Sequence, residues 1–193
     1  MPSIAAGTAV LTLTDHLITV LQTHLPTRLL EVGTATVESY RLYDPEQYVE
    51  SPANTVGAMK LLNVDEVVCW VIPEGPSTYV RWESDSGKQA RGDASTRVRV
   101  VILAKQPDGH VLPIVRGRAP LWEEWNRRRA ELFKAAVLDV ICEHGEHVDV
   151  CTQVLPVAND AAPIAVEGIG TMAHAAVIFE ITQDVLIRRS NWS

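Results

Sequence analysis

The residues best suited to chemistry lie within ten positions of one another: Cys142, His144, His147 and Cys151. Two thiolates and two imidazoles are a donor set for tetrahedral zinc, which would either brace a fold or activate a bound water. Their spacing is not a standard one, and Cys142 falls on the apolar side of a candidate helix. Core packing with solvated histidines therefore competes with metal binding. Glu123 and Glu124 are adjacent on a helix and point apart, whereas paired acid–base carboxylates must converge. Asp15 and His16 share a helix with no nucleophile beside them. Arg91-Gly92-Asp93 spells the tripeptide of integrin ligands, a match that chance supplies readily. Gly168 and Gly170 lack the lysine and the following helix of a phosphate loop, and no serine occupies a Gly-x-Ser-x-Gly elbow. No catalytic constellation stands above its structural alternative, so the chain reads as a non-enzyme without a cofactor.

These residues hang on a helix–strands–helix–strands order. Val10, Leu13, Leu17, Val20, Leu21 and Leu25 recur at helical spacing, with Thr12, Asp15, Thr19 and Gln22 mostly opposite. The pattern predicts an amphipathic helix over 8–25 that Pro26 ends. Leu29, Leu30 and Val32 read as a short strand, Asp44-Pro45-Glu46 as one helical turn, and 51–54 as loop. Within 64–72, Val67 to Ile72 is continuously apolar and demands cover on both faces. A turn at 105–109, a short strand at 111–115 and a connector at 116–120 lead to a second helix over 121–143. That helix starts acidic at Glu123 and Glu124 and is closed by Gly145. Strands at 148–157, 164–166 and 172–181 follow. Mixed order without regular βα alternation predicts an α+β fold, a mostly antiparallel sheet with two long amphipathic helices packed on one face. No repeat or linker divides residues 1–193, which are expected to form a single domain with a mobile tail over 184–193.

A β-hairpin is the strongest local pattern. Its strands are Ser77–Glu83 and Thr96–Lys105, with Val98, Val100 and Ile102 on one face and Arg97 and Arg99 on the other. Residues 84–95 hold no bulky apolar side chain and are expected to be a mobile tip on a protruding arm, ordered when a neighbour arrives. Lys88, Arg91 and Asp93 in the tip, Arg97 and Arg99 at its base and Trp82 across from them are the candidate contact residues. Tryptophan beside polar groups is a common interface anchor, and Trp192 in the tail qualifies on the same ground. Arg127 and Arg128 open a basic helical patch suited to an acidic neighbour or to phosphates. The alternative is a solvated face with the i, i+4 pair Glu124–Arg128.

A net charge of −7 argues against a protein that wraps a nucleic-acid duplex, which needs a dominant basic face. With 193 residues, 47% of them hydrophobic, a core forms without disulfides or metal. Three cysteines, an odd and low count, fit synthesis in a reducing compartment. Neither a signal peptide nor a membrane span is expected.

With this layout the chain resembles the tail terminator (tail completion) proteins of tailed bacteriophages. Those proteins also begin with an amphipathic helix leading to a proline turn, here Leu17 to Pro26. They continue through strands with a long protruding hairpin to a second helix, here Trp122 to Cys142, and closing strands. The resemblance spans most of the chain and is architectural, so no residue's role transfers with it. It implies a homo-oligomer, a hexameric ring that caps the tail tube and joins it to the head connector. The implied partners are the tube and connector proteins, with DNA passing transiently through the ring and no membrane contact. The implied location is the neck of the virion, after synthesis in the host cytoplasm. The alternatives are a different neck protein, a monomeric binding module, or a small zinc-dependent enzyme using the cysteine–histidine cluster.

Overall fold

A computed structural model of the chain describes residues 4–5, 8–50, 67–75, 77–86, 89–106, 111–112, 121–166 and 170–188, with the backbone alone at 4–5, 79–86, 89–90 and 187–188. In chain order its elements are β1 (Ile4–Ala5), α1 (Ala9–Glu31), α2 (Thr34–Tyr40), β2 (Gln47–Glu50), β3 (Val67–Pro73), β4 (Thr78–Ser86), β5 (Gln89–Lys105), α3 (Trp122–His144), β6 (Gln153–Val166) and β7 (Gly170–Arg188). The fold is α+β.

Leucines at four-residue steps drive α1. Leu13, Leu17, Leu21, Leu25 and Leu29 are each at most 2% exposed. The helix runs straight through Pro26, where the sequence placed its end, and takes in Leu29 and Leu30, which read as a strand. A mid-helix proline removes one backbone hydrogen bond and costs about 3 kcal/mol. Burying Leu25 and Leu29 returns roughly 1.5–3 kcal/mol each, and Arg28 is held by Glu31 at 2.8 Å and by Glu143 of α3. Packing therefore outweighs the local rule. Gly33, at φ 95°, supplies the left-handed turn from α1 into α2. The expected helical turn at Asp44-Pro45-Glu46 does not form. That stretch leads into β2 instead, with the Tyr48 hydroxyl donating to Asp44 at 2.5 Å.

The sheet is organised around two long strands. β5 and β7 pair antiparallel from Gln89↔Arg188 to Lys105↔Met172. At the Lys105 end, β3 joins β5 from Val67↔Ala104 to Pro73↔Val98, β2 joins β3 in parallel, and β6 joins the other side of β7 from Val166↔Gly170 to Gln153↔Thr182. At the Gln89 end, β4 joins β5 from Thr78↔Ser95 to Ser86↔Gln89, and β1 joins β7 in parallel at Val185 and Leu186. We call these the body end and the hairpin end. Four strand expectations change. Residues 84–86 and 89–95 are paired strand rather than a loose tip, and 184–188 are strand rather than tail. Residues 147–151 form a tight turn closed by the bridge His147↔Cys151, and a single β6 absorbs the separate strand expected at 164–166. The loop expected at 51–54, the connector at 116–120 and most of the short strand at 111–115 lie outside the described residues.

At the body end the sheet is apolar on both faces. Alternate residues of β5 (Val98, Val100, Ile102, Ala104) and β7 (Ala173, Ala175, Val177, Phe179, Ile181) share one cluster with the buried stripes of α1 and α3. On the opposite face Val68, Trp70, Val101, Leu103, Met172 and Ala176 form a second cluster. This agrees with the continuous apolar run of β3, in which Val67 to Val71 are all 0% exposed. α3 is fastened by an arginine that the sequence placed in a basic patch. Arg129 is fully buried. Its guanidinium donates to the Lys105 carbonyl at 2.6 Å and the Arg41 carbonyl at 3.0 Å, with the rings of Trp125 and Phe133 5.2 and 5.8 Å away. One side chain thus joins the end of β5 to the end of α2. Trp125 adds a bond from its indole N–H to the Ser39 carbonyl at 2.9 Å.

Candidate functional site

The cysteine–histidine cluster disperses. Val140 and Ile141 of α3 face the core, and one further residue turns the helix by about 100°, so Cys142 is exposed rather than apolar-facing. His144 stacks on His24 of α1 at 3.8 Å between ring centroids. Beyond the helix, Cys151 is buried and its thiol donates to the Gly145 carbonyl at 3.0 Å, while the His147 ring lies 5.5 Å from that of His16. Burial pushes the Cys151 thiol up, as it does Cys69, and Cys142 is raised by partial desolvation and by Asp139. Among the described residues no group of three or more His, Cys, Asp or Glu is arranged to hold a metal ion.

The hairpin end gathers most of the candidate contact residues, in a setting the sequence did not convey. Its helix side is sealed. Ala94, Val185 and Ala9 form a small buried cluster, and the Gln183 amide donates to the Ala9 carbonyl at 3.0 Å and the Val150 carbonyl at 3.3 Å. β7 runs beside β5 along its full length, so the expected arm is a continuation of the sheet rather than a free two-stranded projection.

The other side is open and charged. Arg91, Asp93, Ser95, Arg97 and Arg99 alternate along β5 and meet Asp184, Thr182 and Glu180 of β7. The Arg91 guanidinium grips Asp184 with both oxygens, its Nε lying 3.0 Å from each. Ser95 donates to Glu180 at 3.0 Å, Arg97 lies 3.9 Å from the same carboxylate, and Arg99 pairs with Glu74. The Arg97 side chain is 63% exposed and those of Arg91 and Arg99 are 44% exposed. Solvated pairs of this kind contribute about 0–1 kcal/mol each, so exchanging one for a contact with another molecule costs little. Asp184 was missed because the sequence reading stopped the strand at 181, and Glu180, inside that strand, was not singled out; the alternation through Glu180, Thr182 and Asp184 was the available signal. Trp82 pairs with Gly92 in the ladder, which places it on the strand flanking this surface. Its side chain, Lys88 and Trp192 lie outside the described residues.

Arg127 and Arg128 belong elsewhere. They are exposed on α3 beside Arg129, which bonds to Lys105 at the body end of β5. The seventeen residues of β5 span about 50 Å, so the two arginines and the hairpin turn occupy opposite ends of the sheet. Arg128 makes the i, i+4 pair with Glu124 at 3.5 Å.

The free edge of β6 is unsuited to strand addition. Pro156 pairs with Phe179 and Pro163 with Ala173, and the register shift between 156 and 158 brings both prolines to the same parity. A paired proline must point its nitrogen away from the neighbouring strand, so this edge lacks two donors. No helix among the described residues is long and apolar enough to cross a membrane. Comparison with protein-family models finds no match, and comparison with curated proteins finds none.

Proposed function

We propose that this chain is a non-enzymatic structural protein that assembles into a ring, of the kind that caps a phage tail tube and joins it to the head connector. The observation that carries this reading is the hairpin end of the sheet. There two long strands continue into a surface of exposed, weakly held Arg–carboxylate pairs on one side, sealed against the protein's own α1 on the other. A surface made of exchangeable charges favours a partner that is also made of alternating charge, and a second copy of the chain provides one. The finer architecture belongs to the same proposal: α1 and α3 form the outer layer, and the hairpin end reaches the neighbouring subunit or the tube. Arg127 and Arg128 at the opposite end of the sheet would face a different contact, as a head-to-tail ring requires.

Negative-stain imaging of the purified protein, with and without tail tube protein, tests the proposal. Closed rings that bind tube ends are expected. Isolated single globules at high concentration that leave the tube unbound would refute it.

A further inference from the structure

Four of the chain's six histidines meet along the seam between α1 and the end of α3. His24 and His144 stack at 3.8 Å with 15° between their planes. His16 and His147 are 5.5 Å apart. Each pair joins α1 to the segment around Gly145, and the members of a pair are more than a hundred residues apart in sequence.

We infer that this seam is an acid-sensitive latch: protonating its two histidine pairs loosens α1 from the α3 terminus and the 147–151 turn, while the sheet stays intact. Two imidazolium rings at stacking distance place like charges in contact, where the neutral rings pack without penalty. His16 donates from Nε2 to the Gly145 carbonyl at 3.0 Å. His147 accepts at Nδ1 from the Asp149 backbone N–H at 3.3 Å, a bond that protonation at that nitrogen removes.

Of the acidic groups nearby, Glu31, Glu143 and Glu146 are already engaged. Glu143 lies 3.8 Å from His144 but also holds Arg28 of α1, and Glu31 holds the same arginine. In the turn, Glu146 accepts the Val154 N–H at 3.3 Å, and Asp149 completes the charged groups around His147. Acidification therefore adds positive charge beside Arg28, against carboxylates with existing partners. Burial holds the His16 pKa below 6.5; the Gly145 hydrogen bond opposes that shift and the charge of His147 adds to it. A histidine with a lowered folded pKa stabilises the fold above 6.5 and loses that contribution as pH falls through the folded value, which is the direction the latch needs.

Gly145 is the hub. Its carbonyl receives both His16 and Cys151, and a Cβ there would collide with the Ile141 carbonyl oxygen. Gln183 bonds to the start of α1 and to Val150 of the turn, so the latch adjoins the hairpin end.

The test is hydrogen exchange of the intact protein at pH 7.5 and pH 5.5, corrected for intrinsic exchange. Protection of α1 and of residues 141–152 is expected to fall severalfold at the lower pH, while β5 and β7 keep theirs. His24→Gln/His144→Gln should shrink the α1 effect. His174→Gln should not, because His174 lies on the opposite face of the sheet, where burial also lowers its pKa. Equal corrected protection of α1 at both pH values, or an equal loss across the sheet, would overturn the latch. The wild-type comparison decides alone if the double variant does not fold.

Discussion

The two ends of the β5–β7 pair share one backbone ladder and differ in everything their side chains do. At the body end Val98 and Val100 to Ala104 are at most 2% exposed, and a helix pair covers one face. At the hairpin end the same strands carry Arg91, Arg97, Asp184 and Glu180 on an open face, and among the side chains described there Ala94, Thr96, Gln183 and Val185 are buried. A strand pair can thus hold a fold at one end and present a surface at the other, provided the ladder itself is continuous. Stability should therefore respond to changes at the body end, and association to changes at the hairpin end.

The largest loss of stability is expected from Arg129→Ala. It strands two buried carbonyls and removes a guanidinium packed between two rings, for about 4 kcal/mol by denaturant unfolding. A loss below about 1 kcal/mol would show that the clamp is dispensable. Leu29→Ala should cost about 3 kcal/mol and fray α1 beyond Pro26, visible as lost helical circular dichroism. Pro26→Ala should move the other way by about 2 kcal/mol, because the restored hydrogen bond outweighs the added freedom of the unfolded chain. A destabilised variant would contradict the continuous helix. At the hairpin end, Arg91→Ala should change stability by less than about 1 kcal/mol, since its pair with Asp184 is partly solvated. A larger loss would turn this surface into part of the core and collapse the contrast.

What the sequence conveyed was what periodicity carries. The leucine stripe of α1, the apolar run of β3 and the hairpin's alternation were all legible. The end of α1 was not, because a proline rule is local while the burial of Leu29 depends on α3 and the sheet. Residues 84–95 read as loop for lack of apolar side chains. Of these, 84–86 and 89–95 are strand, because β5 pairs with both β4 and β7 and because Asp184 and Glu180 supply partners for Arg91 and Ser95. Much of β6 was missed because its alanines and two prolines look unlike a strand, and prolines are tolerated there only because the strand is an edge. The cluster at 142–151 is dense in sequence, but a helix end followed by a tight turn points its members apart. Its histidines find partners on α1 that no spacing rule connects.

These findings also change how the hairpin should be probed. Excising 84–95 would remove the first seven residues of β5 and their pairing with β7, and so confound folding with assembly. Charge reversal at exposed positions avoids this. The decisive measurement is the solution mass of the wild type and of Arg91→Glu/Arg97→Glu, by light scattering at matched high concentration. We predict a multiple of the 21.2 kDa chain for the wild type and a single-chain mass for the variant, with little change in melting temperature. A single-chain wild type, or a variant that assembles like the wild type, would contradict the assignment of the hairpin end as the assembly surface.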